Sequence, residues 1–282
     1  MRAIPKVGLD PESILVRNPL RPTISILLKT ITIGSQTAHV GETAELCRAL
    51  ADEVESLLTE RAAEGRHAVL GLATGSTPLP FYDELIRRHR EEGLSFANAV
   101  SFNLDEYEGL GRDHEKSYWH EMWTNLFDHI DIKRENVSVP PSVTDDPENE
   151  AAAYEEAIRK AGGIDWQLLG IGGEGHIGFN EKGSEVDSRT RRVTLARKTI
   201  VDAAPGFGGE DKVPTHAITM GVATILEAGR VVLMARGASK AEIVRRAMAG
   251  EVSPEVPASF LQNHQNVGWF LDEEAAGHEA DA

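Results

Sequence analysis

The sequence predicts an α/β fold: three layers, α/β/α, around a mainly parallel, Rossmann-like sheet. Two observations predict it directly. Short apolar runs alternate with longer stretches of helical periodicity from residue 29 to residue 271. Glycine is plentiful, 26 of 282 residues, as expected where strands turn sharply into helices. A third supports it: no internal repeat and no long low-complexity segment interrupts the alternation, so residues 29–272 read as one α/β domain.

The elements follow in order. Residues 1–28 hold Pro5, Pro11, Pro19 and Pro22 with little periodicity, and read as an extension outside the main fold. Lys29–Ile33 looks like a strand. Residues 42–58 carry Leu46, Leu50, Val54 and Leu57 at spacings of four, four and three, one face of an amphipathic helix. The compact apolar run 67–72 is a strand, after which Thr77 and Pro78 suit the N-cap and first residue of a helix reaching about residue 90. Residues 99–104 form the next strand, and Ser117 suits the cap of a helix bearing Trp119, Met122, Trp123, Leu126 and Phe127. Residues 148–161 read as a helix and 164–171 as a buried strand. Residues 191–196 and 216–220, with Arg230–Ala235 and Val267–Leu271, complete the strands. Residues 202–212, with Gly206, Gly208 and Gly209, read as a flexible loop, and the acidic tail 273–282 is expected to fray.

Composition bounds the function. With 45 acidic against 29 basic residues the formal net charge is −16, which argues against nucleic acid or an anionic membrane as partner, since both need a basic face. An anionic small molecule is still admissible, because a local pocket can be positive on an acidic protein. One cysteine, Cys47, excludes an internal disulfide and a cysteine-rich zinc site. The apolar run 24–28 is too short to span a bilayer and no secretory pattern precedes it, so a cytoplasmic location is expected.

In such folds ligands lie beyond the carboxyl ends of the strands, which directs attention to three segments. The first, residues 71–78, puts small residues and the hydroxyls of Thr74, Ser76 and Thr77 around Gly75, at the mouth of a helix whose free N–H groups suit phosphate. The same pattern fits an ordinary capped turn. The second, residues 101–107, ends an apolar strand on Asp105 and Glu106. Alternation would turn one toward the cleft and the other toward solvent, and a solvated strand end fits equally well. The third, residues 170–181, contains G-x-G-x-x-G, but Gly178, Gly183 and mixed polar residues follow where a dinucleotide site needs a helix, so a nicotinamide cofactor is rejected. What remains is His176 between Glu174 and Glu181, where a carboxylate would hold the imidazole in one tautomer and raise its basicity. Lys240, at the start of a helix after Arg230–Ala235, would reach the same rim, although solvation is the usual fate of a lysine. The remaining histidines lack metal-ligand spacing, H-E-x-x-H and G-x-S-x-G are absent, and a reaction without metal or cofactor is expected.

Taken together, LGLATGSTPLPFYDEL, SFNLDEYEGL, GIGGEGHIGFNE, SRTRR, HAITMGVATILEA and GASKAEIVRRAMAGEV resemble, in this order, the glucosamine-6-phosphate deaminase (isomerase) family, from about Lys29 to Asp272. The resemblance implies conversion of glucosamine 6-phosphate and water to fructose 6-phosphate and ammonia. It implies that Asp105 is the base moving a proton between C2 and C1, that His176 assists opening of the sugar ring, that Glu174 and Glu181 flank and orient it, and that Thr74, Gly75, Ser76, Thr77 and Lys240 bind phosphate. The implied partner is a small sugar phosphate, with a homo-oligomer left open.

Three departures from the family stand out. Glu174 replaces an aspartate common among its members. The stretch matching the family's lid, residues 199–213, has no arginine for the phosphate, only Lys198 and Lys212 at its edges, which puts a weaker or rearranged grip in prospect. Ser184 and Arg191 match an effector site of the activated hexamers, but Val193 replaces its lysine and the chain ends early, so no activation by N-acetylglucosamine 6-phosphate is expected. Competing readings are a 6-phosphogluconolactonase of similar fold, a deaminase of another amino-sugar phosphate, and a non-catalytic sugar-phosphate sensor. Phe179-Asn180-Glu181 and the NLDEY segment favour the deaminase over the lactonase.

Overall fold

A computed structural model describes residues 28–277. The expected extension before Leu28 and the tail beyond Gly277 lie outside the described residues. The first strand, β1 (Lys29–Ile33), turns at Gly34, with φ of 63°, and pairs antiparallel with β2 (Gln36–Val40). Residues 36–40 escape sequence reading because Gln36, Thr37 and His39 make them polar, and only Ala38 and Val40 face the core. Then come α1 (Thr43–Ala63), β3 (Ala68–Leu72), α2 (Leu79–Glu92), β4 (Ala99–Asn103), β5 (Asp105–Tyr107), α3 (Tyr118–Asn125), β6 (Val137–Ser138) and α4 (Pro147–Lys160). The second half holds β7 (Trp166–Leu169), β8 (Arg191–Thr194), α5 (Arg197–Phe207), β9 (His216–Thr219), α6 (Val222–Leu226), β10 (Arg230–Ala235), α7 (Ala241–Ala249) and β11 (Val267–Leu271).

Eight strands form the main sheet in the order β1-β2-β11-β10-β7-β3-β4-β6, parallel except for the β1–β2 pair, and helices flank it as three α/β/α layers. Its central strands are buried along their length, as near-continuous apolar runs require. At the middle of the sheet Gly71 of β3 lies beside Gln167 of β7. A Cβ there would fall 2.0 Å from the Gln167 carboxamide oxygen, so glycine alone admits the glutamine.

A second sheet, β5-β9-β8, is antiparallel and was not legible as a separate unit. It carries a smaller apolar cluster of Tyr107, Phe179, Leu195, Val213 and Ala217. The stretch expected to be a flexible loop over 202–212 is instead largely helical: α5 runs through Pro205 and Gly206 to a left-handed Gly208, with φ of 74°. Tertiary packing overrides the breakers, because Ile200, Ala203, Ala204 and Phe207 lie on the smaller cluster, with the Phe207 ring edge-on to Tyr107 at 5.2 Å.

Two end signals also differ. Pro78, not Thr77, holds the N-cap position of α2, and no side chain caps it. Ser117 does cap α3, accepting from the His120 N–H at 3.1 Å. The first residues of the tail do not fray: Ala275 is buried, its N–H donates to Asp272 at 2.8 Å, and Glu274 accepts the Ala238 N–H at 3.2 Å. Among the described residues no helix is long and apolar enough to cross a membrane.

Candidate active site

Three loops at the carboxyl ends of β3, β4 and β7 meet. The turn from β3 into α2 leaves Gly75 and Ser76 exposed and Thr74 and Thr77 half-buried, and Gly75 takes a φ of 90° that favours glycine. Its N–H does not point into open solvent. It donates to Oε1 of Glu121, on α3, at 2.7 Å.

After β4 the chain steps at Leu104 into the second sheet, where Asp105 pairs with Thr219. Sequence alternation put one of the two acids in solvent, but both are buried, Asp105 at 6% exposure and Glu106 at 2%. The reason is that Glu106 finds three backbone donors, the N–H of its neighbour Tyr107 and, at the mouth of α3, those of Tyr118 and Trp119, at 2.9, 2.9 and 3.0 Å. Burial nevertheless pushes its pKa up to about 7. Burial also raises Asp105 well above the carboxylate range, and Glu106 and Glu121 push it further, while the Phe179 N–H works the other way.

Asp105 lies against the third loop at Gly178. A Cβ on that glycine would stand 3.2 Å from Asp105 Oδ2 and 2.9 Å from Thr219 Oγ1, and its φ of 57° is left-handed. The loop is compact: the Gly172 N–H donates to the His176 carbonyl at 2.9 Å and the Gly175 N–H to the Gly172 carbonyl at 3.0 Å. The imidazole of His176 covers Gly172 so closely that a Cβ there would fall 2.0 Å from ring atoms. No helix begins between Gly172 and Ala196, in agreement with rejection of a dinucleotide turn.

The expectation that flanking acids raise the basicity of His176 is corrected. Its pKa lies below the ordinary value, first through burial and then through Lys240, and Glu174 only partly offsets these. Glu174 is exposed. Glu181 is engaged elsewhere: Oε2 accepts the Ala196 N–H at 2.6 Å and Oε1 the Thr199 hydroxyl, which ties the loop to the first turn of α5. Lys240 donates from Nζ to the Ile171 carbonyl at 2.7 Å, which sets its ammonium at the foot of the loop, and burial lowers its pKa. Lys198, on α5, is ion-paired with Asp202, and both act electrostatically on His176.

Asp105, His176, Lys240 and the Thr74–Thr77 turn are therefore neighbours through Gly178, Ile171 and Glu121. Sequence reasoning missed Glu106 as a helix-capping anchor and Glu121 altogether. The one available signal for Glu121 was an acid set between Trp119, Met122 and Trp123 in a short apolar helix. A separate cavity of about 370 Å³ includes Ser184, Arg191 and Val193 in its lining but neither Asp105 nor His176. Inside it the Arg191 guanidinium donates to Asn180 Oδ1 at 2.8 Å and to Ser184 Oγ at 3.1 Å.

Comparison with known proteins bears on this arrangement. Residues 41–269 match the family model described as glucosamine-6-phosphate isomerases/6-phosphogluconolactonase. A glucosamine-6-phosphate deaminase of Corynebacterium kroppenstedtii is 50% identical over 224 residues, covering 79% of this chain and 86% of that protein. One from Alkaliphilus oremlandii is 44% identical over 238 residues, covering 84% and 98%. Among solved structures, a monomeric glucosamine-6-phosphate deaminase superposes with a TM-score of 0.81 at 43% identity, covering 84% of this chain and 98% of that one. The 6-phosphogluconolactonase of Thermotoga maritima, at 21% identity and a TM-score of 0.65 over 83% and 98% of the two chains, shares the fold.

Proposed function

The chain belongs to the family of glucosamine-6-phosphate isomerases and 6-phosphogluconolactonases, and from that membership we infer what the side chains gathered at the sheet rim do. It is a glucosamine-6-phosphate deaminase, converting glucosamine 6-phosphate and water to fructose 6-phosphate and ammonia.

The observation that carries the assignment of roles is the burial of Asp105 against Gly178 and Phe179 of the His176 loop. His176, held neutral by burial and Lys240, relays the proton between the anomeric hydroxyl and the ring oxygen as the sugar opens. Asp105 then takes the proton from C2, and the electron pair left there forms the C1–C2 double bond of an enolamine as the C1 carbonyl oxygen is protonated. Returning the proton to C1 leaves an imine at C2. Water adds to that carbon, ammonia departs, and the ketone remains. A carboxylate whose pKa is raised is a stronger base, which suits removal of a weakly acidic carbon proton.

The phosphate, remote from the reacting carbons, is gripped by the Thr74–Thr77 turn, the N-terminus of the 14-residue α2 and Lys240. Glu174 moderates the charge around His176, and Glu181 holds α5 over the loop. Purified protein is expected to release ammonia and fructose 6-phosphate from glucosamine 6-phosphate, and Asp105→Asn to lose at least ~100-fold in kcat, the scale of a lost general base. An unchanged variant removes Asp105 from the mechanism. Hydrolysis of 6-phosphogluconolactone without ammonia release from the amino sugar would assign the lactonase branch of the family instead.

A further inference from the structure

Glu121 is an acid near the cleft that the reaction scheme leaves unused. It sits in the first turn of α3, four residues after the capping Ser117. Its Oε1 is fixed by the Gly75 N–H at 2.7 Å, at the centre of the turn assigned to phosphate. Its Oε2 has no hydrogen-bond partner among the described residues and is not sealed from solvent. The same carboxylate acts electrostatically on Asp105, so it is near both the turn assigned to phosphate and the group assigned to the C2 proton. Burial raises its pKa, the Gly75 N–H and Lys116 work the other way, and among the described residues Lys116 forms no ion pair with it.

A carboxylate in that place is unfavourable for an anionic ligand unless the ligand also brings a positive charge. The substrate brings one: an ammonium on C2, the carbon next to Asp105. An ammonium meeting a half-buried carboxylate forms a charge-assisted hydrogen bond, about twice as strong as a neutral one. A hydroxyl in the same position offers one neutral donor.

We propose that Glu121 reads the amino group of the substrate: with Oε1 anchored on the Gly75 N–H, it presents Oε2 to the C2 ammonium and selects an amino-sugar phosphate over its hydroxyl counterpart. The anchor matters as much as the charge, because it removes the rotamer freedom that a glutamate would otherwise lose on binding. The inference rests on the deaminase reading of this site.

Two unreactive open-chain inhibitors that differ only at C2 test it, 2-amino-2-deoxyglucitol 6-phosphate and glucitol 6-phosphate. Inhibition constants are measured on the wild type, on Glu121→Gln, which keeps an acceptor for Gly75, and on Glu121→Met. The wild type is expected to favour the amino compound by roughly tenfold or more, the scale of a hydrogen bond to a charged group. Both variants are expected to fall to within about twofold of no preference. If the preference survives in both variants, the inference is overturned, and any parallel weakening of the two inhibitors is then a structural effect. A wild type that turns over glucosamine 6-phosphate but shows no preference overturns the inference alone. A wild type that releases no ammonia overturns the deaminase reading, and the inference with it.

Discussion

With its carboxyl buried beside two other acids, Asp105 holds its proton well above the ordinary carboxylate range. Two consequences follow, of opposite sign. As the proposed base it must be ionised, so kcat/KM should climb with pH through the raised value rather than near 3.8. For folding, the native state binds this proton more tightly than the unfolded chain. Stability from the group is therefore complete below the unfolded value and is lost as pH rises through the native one. Asp105→Asn, which keeps the size of the side chain and cannot ionise, should thus raise the melting temperature at pH 8 by about 2–4 °C, as expected for ~1 kcal/mol in a chain of this size. The gain should shrink as the melts are repeated toward pH 4. A carboxylate that is costly to ionise where the proposed reaction needs it ionised is how function strains a fold. Asp105 was legible because it follows an apolar strand, and His176 because it sits in a glycine-rich loop between two acids. Glu121 was not, because a glutamate in a short helix looks solvated until the turn it meets, 46 residues earlier, is placed beside it.

At the scale of elements, the long helices and the buried parallel strands could be read from periodicity. Arg230–Ala235 and Val267–Leu271 fall where the sequence puts them, because strands buried on both faces are continuous apolar runs. The failures share one cause. β2 and α5 owe their conformation to partners far along the chain: β11 for the first, Tyr107 and its cluster for the second. Local chemistry argues against each, with polar residues in one and Pro205 and Gly206 in the other. The first turn of α5 depends further on Glu181, which accepts from Ala196 and Thr199. Glu181→Ala should therefore speed amide hydrogen exchange in residues 197–201 about tenfold, the scale of one hydrogen bond to a charged group. Exchange in β3 and β10 should be unaffected. Equal acceleration everywhere would mean that Glu181 supports the whole fold and not the helix over the site.

At the scale of the molecule, the fold class was evident because strand–helix alternation runs almost end to end. The presence of a second sheet was not, since its strands are three or four residues long and pair antiparallel across gaps of more than 80 residues in one case. That sheet matters because Asp105 stands where the chain passes from one sheet to the other. The cavity at Ser184 and Arg191 is also lined by Phe179 and Glu181, and its guanidinium is already engaged by Asn180 and Ser184. With Val193 in place of a cation, N-acetylglucosamine 6-phosphate is expected to leave the glucosamine 6-phosphate saturation curve unchanged in steady-state ammonia assays.

The turn that leads into Lys240 is braced from outside its own helix. Asp272 accepts the Gly237 N–H through both carboxylate oxygens, at 3.0 and 2.9 Å, and Glu274 accepts the Ala238 N–H. The end of the last strand thus works as a splint for the lysine assigned to phosphate. Anyone fusing a tag or trimming the chain near residue 272 would be working on the proposed substrate grip, although the cut would lie in what looks like a disposable terminus.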